Sequence, residues 1–399
     1  MALDIDFVRA QFPAFDETSL QGQAFFGNAG GSYACGAVID RLHRFYTQRK
    51  VQPYSAYEAS RLGGAEMDEA NTRLAAIMGV ENDELSFGPS TTQNTYVLSQ
   101  AFGQMMQPGE AIIVTNQDHE ANSGPWRRLA ERGIEVREWQ MNPETGALEL
   151  DTLADLLDDN VRLVCFPHCS NVVGHINPVA EITTLAHSAG AVVCVDGVSY
   201  APHGFADVGA LGADIYLFSA YKTYGPHQGV MVVRKALAQA LPNQGHWFNA
   251  GNLTKRFTPA GPDHAQVAAC AGMADYIDAL SDHHGGCGAR GVHDLMRAHE
   301  EELMAPLMDW VSTKNSVRLI GPAIARAPTV ALDLGVTAEP VAAALAKHGI
   351  MAEGGDFYAG RALEAMGVDL DKGVLRLSFV HYTSPEEIAK LITALDAEI

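Results

Sequence analysis

At 399 residues, 47% hydrophobic and 19% charged, the chain is long enough for more than one domain and has the composition of a soluble globular protein. A formal net charge of −21 opposes nucleic-acid phosphates and anionic membrane surfaces, so neither is an expected partner. No apolar run reaches the roughly 18 residues of a membrane span, the first residues have neither the basic head nor the apolar stretch of a secretory signal, and a cytoplasmic location is expected.

From about residue 68 to residue 235 short apolar runs alternate with helical stretches, the pattern of βαβ units on a mostly parallel sheet. The runs Glu84–Phe87, Ala111–Thr115, Ile134–Arg137, Val161–Phe166, Ala191–Val195, Asp214–Phe218 and Gly229–Val233 predict seven strands of one wide α/β domain. Ligands of such sheets bind beyond the carboxyl ends of the strands, where function is to be sought. From 240 to 290 the chain is richer in Gly, Pro and His; the cluster His283, His284 and Cys287 lacks two further ligands at metal-binding spacing and reads as a connection before a long helix near 292–313. Strand-like runs at 317–320, 329–334 and 374–379, a helix over 338–347, and a last helix opened by Pro385 and Glu386 predict a small α+β domain. The expected division is a large domain over 20–285 and a small one made of 1–19 and 286–399. Cys35, Cys165, Cys169, Cys194, Cys270 and Cys287 are scattered without a Cys-x-x-Cys pair, so reduced and mostly buried thiols are expected.

The polar residues that carry chemistry follow these runs. Lys222 closes the stretch Asp214–Lys222 just before a Gly-Pro loop, a poor place for a solvated charge. Asp196 directly follows the run Ala191–Val195, and burying a carboxylate there costs several kcal/mol unless it is ion-paired. An amine and an acid emerging from the same end of neighbouring parallel strands are what pyridoxal 5'-phosphate requires: a lysine for the Schiff base and a carboxylate for the pyridinium nitrogen. Ser90, Thr91 and Thr92 precede an apolar helix and offer hydroxyls and backbone donors to a phosphate, although alone such a run is more often a helix cap. After the next strands His119 could stack on a flat heteroaromatic ring, and Asn171 could bond a ring hydroxyl. Ser219 and Tyr221 flank Lys222 within reach of a phosphate.

In this order the motifs resemble the fold-type I pyridoxal phosphate enzymes, specifically the class V aminotransferase family that includes cysteine desulfurases and selenocysteine lyases. The resemblance runs from Phe26–Gly30 to Arg376–Tyr382. It implies that Lys222 forms the internal aldimine, Asp196 pairs with the ring nitrogen, His119 stacks over the ring, and Asn171 contacts the ring hydroxyl or substrate. It further implies that Thr91, Thr92, Ser219 and Tyr221 hold the phosphate and that Arg376 grips the substrate carboxylate through a bidentate pair. Asn28 and Tyr358 are expected beside the substrate. A homodimer is implied as well, with the segment 256–262 reaching the partner's phosphate; Gly261 stands there where relatives commonly carry threonine.

Two departures bear on the reaction. In the small-domain loop Tyr358 stands where the similar desulfurases carry their nucleophilic cysteine, and Glu353 where they carry arginine. Near the ring Ser199 replaces a glutamine, and Tyr221 replaces a histidine. The expected function is action on a small amino acid through an external aldimine, foremost as a carbon-sulfur β-lyase without an enzyme persulfide. An aminotransferase, an epimerase and a catalytically silent cofactor-binding scaffold are the alternatives.

Overall fold

The computed structural model describes residues 2–399. Its strands are β1 (Ala24–Phe25), β2 (Leu85–Gly88), β3 (Ala111–Thr115), β4 (Glu135–Trp139), β5 (Val161–Pro167), β6 (Val192–Asp196), β7 (Ile215–Ser219), β8 (Gly229–Val233), β9 (Arg318–Leu319), β10 (Thr329–Asp333), β11 (Ile350–Met351), β12 (Glu353–Gly355) and β13 (Val374–Ser378). Each of the seven apolar runs becomes a strand of one sheet, ordered β2-β8-β7-β6-β5-β3-β4, with ends moved by at most two residues. The pairs from β7 to β4 are parallel, and β8 runs antiparallel to both β7 and β2. The fold is therefore α/β, with a mostly parallel seven-stranded sheet.

Strands β3, β7 and β8 are buried along their whole length because helices cover both faces, which is why they read as continuous apolar runs rather than alternating ones. Successive side chains still point opposite ways. Ile113, Val164, Val195 and Phe218 enter one core cluster, whereas Ile112, Leu163, Cys194 and Leu217 enter the other. Each such side chain is worth about 1.5–3 kcal/mol when fully buried, and a one-residue register slip would exchange the two sets.

That register fixes the site. Gly88 stands opposite Gly229, Gly229 opposite Ser219, and Asp196 opposite Leu217, so the ends of β2, β6 and β7 and the start of β8 lie on one edge. A second, antiparallel sheet, ordered β12-β13-β10-β9, packs Val330, Leu332, Leu375 and Leu377 against Leu303, Leu307 and Leu391 of the helices Gly288–Thr313 and Pro385–Glu398. Strand β1 pairs in parallel with β11.

Between 240 and 290 the structure has regular elements that the Gly, Pro and His content does not announce. The helices His264–Ala269 and Ala271–His283 are held by small and apolar residues such as Ala268, Ala271, Ile277 and Leu280 in the main core. The two histidines of the 283–287 cluster tie down the first helix: His283 stacks on Phe7 at 3.8 Å and pairs with Asp4 at 2.9 Å, and His284 Nε2 accepts from the Asp4 amide at 3.1 Å. No helix among the described residues is long and apolar enough to cross a membrane.

Candidate active site

Thr91, Thr92, His119, Asn171, Asp196, Ser199, Ser219, Tyr221 and Lys222 line one cavity at the strand-end edge. Nine residues spread over more than 130 positions of sequence thus converge as the strand pattern requires. The cavity adjoins a wider cleft lined by Arg376, Glu353 and Tyr358, with Thr92, His119, Asn171, Tyr221 and Lys222 bordering both.

Asp196 ends β6, and its Oδ1 accepts from the Val198 amide at 2.8 Å. Burial pushes its pKa up to about 6, against the pull of the Lys222 amine. A carboxylate so placed is incompletely compensated by the chain itself and fits a cationic ring nitrogen. Lys222 ends the turn Ala220–Lys222 that follows β7. Burial, then the Arg376 guanidinium, bring its pKa down to about 8, with Asp196 and Glu353 opposing. An amine near neutrality fits a Schiff-base lysine.

At the other end of the cavity the helix Thr91–Met105 begins, its first turn capped by Ser90 Oγ, which accepts from the Gln93 amide. Thr91 Oγ1 and Ser219 Oγ are 2.8 Å apart, joining this helix to β7. The helix start lies so close to β8 that a Cβ on Gly229 would sit 2.5 Å from the Ser90 carbonyl carbon and 2.8 Å from the Thr91 amide nitrogen. Free amides and hydroxyls at a helix N-terminus fit a phosphate. Tyr221 stacks on His227 with centroids 4.7 Å apart, which holds its ring at the cavity wall.

His119 caps the helix Glu120–Arg127, and its Nδ1 accepts from the Ala121 amide at 3.0 Å, leaving the ring proton to Nε2. Burial, with Lys222 and Arg376 nearby, lowers its pKa to about 4, so the ring is uncharged at neutral pH. Asn171 donates from Nδ2 to the Phe357 carbonyl at 3.0 Å, while its Oδ1 is buried without a partner. An orphaned acceptor at this point fits a donor on a bound molecule, such as a ring hydroxyl.

Arg376, on β13, is 4% exposed and directly opposite Glu353 of β12, whose Oε2 accepts from Nη2 at 3.2 Å. Its guanidinium carbon lies 3.8 Å from the Phe357 ring centroid, its Nη1 donates to the Asn171 carbonyl at 3.4 Å, and its Nε is buried without a partner. Burial lowers its pKa to about 10 against the Glu353 charge. Tyr358 sits on the rim, 73% exposed, with its ring 5.5 Å from that of His119 and its carbonyl accepting from the Glu120 amide. Both it and Phe357 have left-handed backbones, φ +55° and +54°, a conformation costing of order 1 kcal/mol or more per non-glycine residue.

Asn28 is the expected site residue that does not face this cleft. Its amide is spent on the carbonyls of Phe25 and Ser378 and on the Tyr382 hydroxyl, and Ala29 and Gly30 line the cleft instead. One neighbour, Phe357, and one pairing, that of Glu353, escape a sequence reading of the site. Phe357 covers the arginine, with no polar group to flag it, and Glu353 becomes its ion-pair partner only through cross-strand register.

The family model described as aminotransferase class-V matches residues 24–391. The chain is 33% identical to the aminotransferase-like protein FGM3 of Gibberella zeae over 411 residues, covering 99% of this chain and 98% of that one. It is 31% identical to a cysteine desulfurase of Serratia proteamaculans over 422 residues, covering 99% and 98%. Among solved structures it resembles the Escherichia coli cysteine desulfurase CsdA in its S-sulfonic acid form, with a TM-score of 0.84, 26% identity and coverage of 100% and 99%. The apo cysteine desulfurase of Thermococcus onnurineus shares the fold at a TM-score of 0.88 and 23% identity, with coverage of 100% and 98%.

Proposed function

The chain belongs to the class V aminotransferase family, whose cofactor is pyridoxal 5'-phosphate, and from that premise we propose that it is a carbon-sulfur β-lyase of a small amino acid that carries no persulfide on the enzyme. The observation that carries this reading is the state of the thiols. Cys169 faces the cofactor cavity but is buried, with its thiol pushed up to about 12 by burial; the exposed thiol, Cys287, lies before the helix Gly288–Thr313, and the rim position holds Tyr358. A buried thiol of that pKa is a poor nucleophile toward sulfur.

When bound, the cofactor supplies an electrophilic carbon for the substrate amine and a ring that withdraws electrons from the substrate Cα. Asp196 would hold the ring nitrogen in its protonated form, since its own charge needs that cation. The helix start at Thr91 and Thr92, with Ser219 and Tyr221, would hold the phosphate, while Ser199, Asn171 and the uncharged His119 ring would bound the heterocycle. Arg376 would take the substrate carboxylate and so orient Cα toward Lys222. Lys222 Nζ would remove the Cα proton and return a proton to the departing sulfur, giving thiol and 2-aminoacrylate, which water hydrolyses after release to pyruvate and ammonia. The cytoplasm as location and a homodimer as assembly belong to the same proposal.

The purified protein should be yellow and lose its visible band on borohydride reduction, and Lys222→Ala should abolish turnover. S-substituted cysteines should yield pyruvate and thiol. Rapid release of alanine and sulfide from cysteine would overturn the lyase reading, and sustained keto-acid exchange with no pyruvate would replace it with an aminotransferase.

A further inference from the structure

We infer that Glu353 is a specificity residue that selects substrates with a cationic side chain, a reading that rests on the β-lyase assignment above and names its substrate class. Glu353 and Arg376 are cross-strand partners, so both project into the cleft, and they meet at 3.2 Å. Their exposures differ greatly: the arginine side chain is 4% exposed and the glutamate 56%. The arginine is fixed by Phe357 and Asn171, whereas Glu353 accepts from no group besides Arg376 among the described residues.

Without substrate the pair is neutral. A substrate carboxylate that docks on the Arg376 guanidinium where it borders the cleft places two carboxylates on one cation, and the surplus negative charge sits at the Glu353 side. Gly30 borders the pair: a Cβ there would be in ordinary contact with it, 3.4 Å from Glu353 Oε2 and 3.6 Å from Arg376 Nη2. Glu120, Glu339 and Asp356 line the same cleft and deepen the negative potential, while of its other cations Arg128 lies over the Tyr96 ring and Lys222 is the amine that the cofactor would take up. An ammonium on the substrate side chain restores the balance; a neutral side chain leaves it unmet, and an acidic one doubles the surplus.

Two isosteric substrates, S-(2-aminoethyl)cysteine and S-propylcysteine, and a longer acidic one, S-(2-carboxyethyl)cysteine, read this directly. With the cofactor-loaded enzyme, kcat/KM should favour the aminoethyl over the propyl compound about tenfold and over the carboxyethyl compound by more, mostly through KM. Glu353→Gln should collapse the first ratio toward one, and Glu353→Lys should favour the carboxyethyl compound. Calorimetric binding to cofactor-loaded Lys222→Ala should give the same order without turnover. Absence of pyruvate from all three, with the binding order kept, sinks the lyase assignment alone. A wild-type preference for the neutral or acidic compound, or a ratio that Glu353→Gln leaves in place, overturns the role of Glu353.

Discussion

Lys222 and Asp196 each make the cofactor-free protein less stable, in different pH windows. The Asp196 pKa is raised from 3.8 to about 6, so its stabilising contribution is present below the ordinary value and lost as pH rises to about 6. The Lys222 pKa is lowered from 10.5 to about 8, so its contribution is present above the ordinary value and lost as pH falls to about 8. Between those limits both groups burden the fold, and a bound ring nitrogen and aldehyde would relieve both. Lys222→Met should therefore raise the melting temperature of the cofactor-free protein at pH 7.5 by about 3 °C, with the gain fading toward pH 10.5. A gain independent of pH, seen by scanning calorimetry, would assign it to packing rather than to the buried amine. The strength of these two residues in the sequence has the same origin: a charge next to an apolar run is costly, and that cost was visible without coordinates.

At the scale of elements, the close seat of the helix Thr91–Met105 on β8 makes a sharper demand. Gly229→Ala would drive a methyl group into the Ser90 and Thr91 backbone, where neither atom can yield without moving the helix start. Cofactor affinity, followed by fluorescence or absorbance titration, should fall at least about tenfold while far-UV circular dichroism holds; unchanged affinity would remove this helix end from the phosphate site. Legibility divides along the same line. The seven strands and the residues at their ends were readable because burial on both faces writes an uninterrupted apolar run and each run ends in a polar cluster. The helices between 264 and 283 were not, since small residues with Gly and His nearby carry little periodic signal. Nor was the partnership of Glu353 with Arg376, because cross-strand register is set by tertiary packing, or the inward turn of Asn28, whose amide is held by Ser378 and Tyr382, some 350 residues on, as well as by nearby Phe25.

For the molecule as a whole the buried histidines dominate the acid limb. Burial lowers His119 to about 4, His168 to about 3 and His293 to about 4, and holds His381 well below its usual range. Groups depressed in this way contribute stability above the ordinary value of 6.5 that is lost as pH falls through the folded values. Asp118 and Asp196, both raised by burial, work in the opposite direction, but they are fewer. The melting temperature should accordingly drop by about 5 °C or more between pH 7 and pH 5, and His293→Phe should soften that drop. An acid limb that is flat over this range would show that the histidines charge without opening the fold.

Strand β1 closes in parallel on β11, Ala24 beside Ile350, so β1 has no pairing partner until a segment some 326 residues further on emerges. At about 5–20 residues per second the ribosome takes roughly 15–65 s to cover that distance. During that interval Phe26, which is fully buried in the finished protein, has nothing to bury it, and the second sheet cannot be sealed. The seven-stranded sheet is complete by residue 233, well before this closure. Chaperone demand during expression should thus fall on the segment around β1 and Phe26 rather than on the cofactor-binding sheet.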